Sequence, residues 1–156
     1  MHVPDRALAP LIHAVPRTAL EAKFSMQFCV AAALCDGAVN LDTFSPERIE
    51  DPSIRDLLDR VSVLEDRSLP NPSEFPARLE VTTSDGKRHE SMVPLAMGKP
   101  ARWFTEAQLH DKFMDCSAQA LSEQDADAVF RAIRQLDGSP CAADTFAGLS
   151  RASTRS

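Results

Sequence analysis

Lys23 is the residue best placed to do chemistry, because it directly precedes a strongly apolar stretch, Phe24 to Leu34. Desolvation there would favour a neutral amine able to act as a base. A lysine in that place can equally lay its stem on apolar surface and keep its ammonium in water. His89 lies between Arg88 and Glu90 and reads either as an exposed strand histidine or as a proton carrier. Lys99, between Gly98 and Pro100, could clamp an anion or simply sit on the surface of a loop. Arg102 and Trp103 beside it suit either a substrate rim or an anchor of that loop on the core. Cys29, Cys35, Cys116 and Cys141 form no C-x-x-C pair, and no histidine stands at zinc-finger spacing from them. Reduced, structural cysteines are expected. His2, His13, His89 and His110 are too scattered to suggest a metal cage, so no metal or cofactor is expected. The chain has no glycine-rich phosphate loop, nucleophile elbow or H-E-x-x-H, and its lack of tyrosine removes the phenol as an acid.

The 156 residues, 44% hydrophobic and 26% charged, suit one compact domain or a domain with an appendage. With 23 acidic against 17 basic side chains and a net charge of −6, a large basic face for nucleic acid is disfavoured. No apolar stretch approaches the roughly 20 residues that span a bilayer, and Met1 to Arg6 lacks the pattern of a secretory signal. A soluble, cytoplasmic protein is expected.

The elements that must position these residues are legible in part. Thr18 to Glu21 reads as a capping box, opening a helix with Leu20, Phe24, Gln27 or Phe28, Ala31 and Leu34 on one stripe. From Phe28 to Cys35 it is apolar all round, which predicts burial on both faces, and Asp36-Gly37 ends it. Ser45-Pro46 and Asp51-Pro52 predict two more helix starts, the second with Ile54, Leu57, Leu58 and Val61 inward. Val61 to Leu64 is expected to turn extended, and the prolines of 66–76 predict a loop. Residues 77–83 and 87–93 around Ser84-Asp85-Gly86 predict a hairpin, with Leu79, Val81 and Thr83 alternating with Arg78, Glu80 and Thr82; it needs further strands or a helix to cover it. Thr105 to Gln108 is another capping box, before a stripe of Leu109, Phe113, Cys116 and Ala120. Ser122 caps a last helix with Ala126, Val129, Ile133 and Leu136 inward. The predicted class is α+β: helices packed on a small, mainly antiparallel sheet, followed by a C-terminal helix.

The run Glu21 to Leu34 with Asp36-Gly37 resembles the signature helix of the MmgE/PrpD family. Further segments follow in the same order: Phe44 with Ile49, Asp51-Pro52 and Ile54-Arg55; Leu79 to Thr83 with Asp85-Gly86; and Gly98-Lys99-Pro100 with Thr105, Leu109 and Lys112-Phe113. The resemblance runs from about residue 5 to 137. It implies lyase chemistry on a small di- or tricarboxylate, as in 2-methylcitrate dehydratase and cis-aconitate decarboxylase, or epimerisation as in iminodisuccinate epimerase. Family members resemble one another in a large helical domain and a smaller α+β lid, a metal-free cleft between the two, and homodimers.

On this resemblance residues 1–120 are part of the lid, 121–138 are a closing helix that packs on the helical domain, and 139–156 are a flexible tail. The helical domain and the start of the lid have no counterpart here, which implies a truncated chain, expected to be inactive alone. Relatives commonly carry a tyrosine whose hydroxyl contacts substrate where this chain has Phe28, so the hydroxyl is lost. Lys23 and Gln27, on the same expected helix one turn apart, are the neighbouring candidates for substrate binding. The alternatives from another class are a non-catalytic interaction or dimerisation module, and half of a split enzyme joined by a separately encoded helical domain.

Overall fold

The computed structural model describes residues 1–70, 72–138, 141 and 143; the tail expected at 139–156 lies outside them, apart from residues 141 and 143. Seven α-helices and four strands are present among the described residues, in an α+β arrangement. They fall into two compact units, Met1 to Trp103 and Phe104 onward.

The first unit holds the sheet. Strand β1 (His2–Val3) pairs in parallel with β2 (Leu64–Glu65) and antiparallel with β3 (Ala77–Thr82), which pairs antiparallel with β4 (Arg88–Val93). The order is β2-β1-β3-β4. The hairpin β3–β4 forms as predicted, with β4 exposed along its whole length, and Gly86 takes the positive φ of 81° that its turn needs. The extra strands it required are β1 and β2, each two residues long, one of them from the N-terminal stretch that carries no strand pattern in sequence.

Helix α1 (Asp5–Leu8) follows β1. The single helix expected from Thr18 is two: α2 (Ala19–Lys23) and α3 (Met26–Asp36). Phe24 leaves the helical region (φ −108°, ψ 27°), and Ser25 Oγ accepts from the Phe28 N–H at 3.1 Å to cap a new helix. Thr18 accepts from the Glu21 N–H as predicted, but the Glu21 carboxylate accepts from the Arg17 N–H, one residue before the cap. Helix α4 (Pro46–Ile49) and α5 (Pro52–Leu58) start at the predicted caps, Ser45 and Asp51.

The core of this unit is Ala22, Phe28, Ala31, Ala32, Ile49, Ile54 and Leu58, with Phe44, Leu57 and Val61 packed against it. Helix α3 therefore buries one face. Its other face departs from the expectation of two-sided burial, since Ala33, Leu34 and Cys35 are exposed. That side overlooks the sheet across a groove of about 340 Å³, lined by Cys29, Val30, Ala33 and Leu34 above and by Ala77, Leu79 and Val93 below. Side chains do not fill the gap between helix and sheet.

In the second unit α6 (Glu106–Ser117) opens on the predicted capping box, with Thr105 and Gln108 exchanging both bonds. It pairs with α7 (Glu123–Arg134), capped by Ser122. The inward stripe of α6 differs from prediction: Leu109, Cys116 and Ala120 are exposed, and His110 and Phe113 meet Phe130 at 4.9 and 5.4 Å. On α7, Ala126 and Val129 are buried as expected. Phe130 joins them, while Ile133 and Leu136 are partly in water.

Candidate functional site

Lys23 ends α2 and is exposed, with its ammonium 5.9 Å from the centre of the Phe44 ring. That distance suits a cation resting on an aromatic face. Of the two settings open to Lys23 in sequence, the structure shows the one with its charge in water. Gln27 sits in the first turn of α3, half-buried, with a buried Oε1 that has no hydrogen-bond partner among the described residues. Lys23 and Gln27 are thus not one turn apart on a shared helix, because the Ser25 cap separates them. Phe28 is wholly buried, its ring 6.1 Å from Phe44 and tilted by 39°.

Phe44 is therefore the residue that brings Lys23 and Phe28 together. It closes a 3-10 turn, Asp42–Phe44, locked by Asn40 and Thr43: the Asn40 N–H donates to Thr43 Oγ1 at 3.1 Å, and the Thr43 N–H donates to Asn40 Oδ1 at 3.0 Å. No residue pattern in the sequence marks this role.

A charged clamp fixes the far end of α3. Arg48 donates from Nη2 to Asp36 at the end of α3, and from Nη1 to Asp51 at the cap of α5. The hydrogen bond to Asp36 pushes the guanidinium further up from its ordinary value. The Ser53 N–H, and after it the Arg48 charge, hold the Asp51 carboxyl below the usual carboxylate range. Burial pushes the half-buried Cys29 thiol up; desolvation, then Asp36 and Asp51, push up that of exposed Cys35.

The remaining candidates stand apart from this cluster. His89 is exposed on β4 opposite Val81. Lys99 donates to the Ser73 carbonyl at 3.3 Å and rests 5.2 Å from the Phe75 ring, so it ties its loop to the segment before β3. Phe75 takes a positive φ of 53° there. Arg102 closes its own loop on the Leu95 carbonyl at 2.7 Å, and Trp103 is exposed, not anchored on a core. Among the described residues no group of three or more His, Cys, Asp or Glu is arranged to hold a metal ion, and no helix is long and apolar enough to cross a membrane.

The order of elements and the region around α2 and α3 define a class. Residues 1–137 match the MmgE/PrpD C-terminal domain, and the chain belongs to the MmgE/PrpD family. It is similar to cis-aconitate decarboxylase of Mus musculus, at 22% identity over 153 residues, covering 86% of this chain and 31% of that protein. It is also similar to cis-aconitate decarboxylase of Homo sapiens, at 24% over 118 residues, covering 75% and 24%. The chain spans less than a third of the length of these curated relatives.

Proposed function

We propose that this chain is the C-terminal portion of a lyase acting on a small polycarboxylate of the 2-methylcitrate or cis-aconitate kind, and that it forms one wall of the active-site cleft. The observation that carries this reading is the coverage: a C-terminal domain matched over residues 1–137, in a chain spanning less than a third of its relatives. In the complete enzyme either a proton leaves the carbon next to a carboxylate as the neighbouring hydroxyl departs as water, or carbon dioxide leaves and a proton is delivered to the carbon skeleton in its place. Lys23 offers a point charge for one substrate carboxylate, and Gln27, on the next helix, an amide as a second candidate. Phe28 has no proton to give. The groups that move protons therefore come from outside this chain, whose setting on this reading is the cytoplasm.

The test is an assay of the purified chain on cis-aconitate and 2-methylcitrate, following carbon dioxide release from the first and, by NMR, the new double bond that replaces the hydroxyl of the second. No turnover is expected. Turnover by the isolated chain overturns the reading of a wall without its own chemistry.

A second reading, an interaction or dimerisation module or half of a split enzyme, is favoured by exposed apolar side chains between Ile12 and Phe24. Ile12 is 74% exposed and Leu20 68%, with Val15 and Phe24 also in water. The His13 N–H donates to the Phe24 carbonyl at 3.5 Å, which sets Ile12 beside the end of α2. Clustered exposure of this kind marks interaction surfaces. Light scattering of the eluted chain separates the outcomes: a dimer, or a complex with a co-expressed helical domain, supports this reading. A monomer that takes up no hydrophobic dye counts against it.

A further inference from the structure

We propose that Phe44 is a positioning residue for Lys23, holding its ammonium at one place on the edge of the cleft wall. The inference rests on the reading that Lys23 meets a substrate carboxylate. An exposed lysine is otherwise a poor ligand, since its four-carbon stem samples many rotamers that binding must freeze. Here the ammonium lies 5.9 Å from the Phe44 ring centre, within the range where a ring face attracts a cation. The ring itself cannot wander. Phe28, wholly buried, packs against it at 6.1 Å, and the preceding Thr43 is buried and bonded to Asn40 through both backbone and hydroxyl. Three separate elements, α2, the 42–44 turn and α3, thus converge to fix one charge. A lysine on the ring face keeps its charge and three donors, so the outer side of the ammonium stays open to an anion.

The test uses the full chain and its four lysines, Lys23, Lys87, Lys99 and Lys112. Reductive methylation with carbon-13 formaldehyde gives each a resolved NMR signal, assigned by lysine-to-arginine substitution. A dimethylammonium held on a ring face moves upfield by the ring current. Lys99, 5.2 Å from Phe75, serves as the internal control. The expected result is upfield displacement of Lys23 relative to Lys87 and Lys112. Phe44→Leu removes it while leaving Lys99 displaced, and Phe44→Trp retains it. A Lys23 signal coincident with Lys87 in the unsubstituted chain overturns the proposal before any variant is made. So does a Phe44→Leu chain that leaves Lys23 unmoved, or that moves Lys23 and Lys99 together. The signals are read without turnover, so failure of the functional reading and failure of this one are distinguishable.

Discussion

Replacing Phe28 with tyrosine adds the hydroxyl that the family resemblance implies for this position, and the structure sets what it should cost. The side chain is 0% exposed. Its core neighbours, Ala22, Ala31, Ala32, Ile49, Ile54 and Leu58, are all apolar, and Phe44 adds an aromatic ring at 6.1 Å. A buried hydroxyl without a partner costs about 1–3 kcal/mol, and forcing an extra atom into a filled core costs about 1–3 kcal/mol. Because one oxygen causes both effects, they overlap, and the expected combined cost is about 2–4 kcal/mol. In a unit of roughly 100 residues that lowers the melting temperature by about 10 °C or more. Urea denaturation followed by far-ultraviolet circular dichroism measures the loss. The chain has no other tyrosine, so phenolate absorbance reports this hydroxyl alone. Burial disfavours the phenolate, and the variant's tyrosine should ionise well above the usual value of about 10, or only as the chain unfolds. A variant as stable as the parent, ionising near about 10, would refute the placement and put the Phe28 ring tip at the open wall.

Three further outcomes are expected. The Asp51 carboxyl is held low by the Ser53 N–H and then Arg48, and that of Asp66 by Ser68, then Arg78 and His2. A depressed folded pKa contributes stability that is present above the unfolded value of about 3.9 and is lost as pH falls through the folded value. Urea midpoints of Asp51→Asn and Asp66→Asn should therefore fall less steeply below pH ~4 than those of the parent. Thr105→Ala removes half of the α6 capping box and should cost about 1 kcal/mol, read as faster amide exchange in the first turn of α6 with the β3–β4 amides unchanged. In a chain carrying Cys116→Ser and Cys141→Ser, Cys35 should react with a thiol reagent at pH 7 more slowly than a free cysteine. Added salt should speed it by screening Asp36 and Asp51, while half-buried Cys29, whose thiol is raised by burial alone, should also react slowly but without that salt dependence.

What could be read in the sequence was local. The hairpin declared itself through period-two alternation and Asp85-Gly86, and the caps Thr18, Ser45, Asp51, Thr105 and Ser122 each depend on a side chain reaching a nearby N–H. Strand β1 was hidden because two residues carry no period, and β2 only meets the end of the segment expected to turn extended, at Leu64; the pairing that makes them strands joins His2 to Leu64 and to Arg78. Ser25 was hidden for another reason: inside an apolar run it reads as a small interior residue, and only its bond to the Phe28 N–H makes it a cap. The α6 stripe missed by one position because a two-helix contact buries a narrow seam, which the facing Phe130 selects. Among the candidates, Phe28 was proposed by resemblance and Lys23 from an apolar setting, but Lys23 is exposed. Phe44 and Arg48 act through contacts from separate elements, which no local spacing encodes.

The charges displaced most clearly lie at caps and turns: Arg48 with Asp36 and Asp51, Asp66 with Ser68 and Arg78, Asp85 with Lys87. They hold elements in register. Substrate chemistry needs charge in a dry cavity, where the same pair is worth more. A carboxylate 4 Å from Lys23 gains about 1 kcal/mol in bulk water and about 4 kcal/mol at the effective dielectric of a protein surface contact. Leu20 on α2 and Phe24 just after its end are exposed together with Lys23, so a surface that covered them would take Lys23 out of water as well. On the proposed reading, then, assembly and carboxylate affinity are linked by about 3 kcal/mol. Lys23→Ala should weaken cis-aconitate binding by less than about tenfold in the isolated chain and by about a hundredfold or more in the covered assembly. Equal losses in the two would mean that the cover leaves Lys23 in water, and that the carboxylate is held elsewhere.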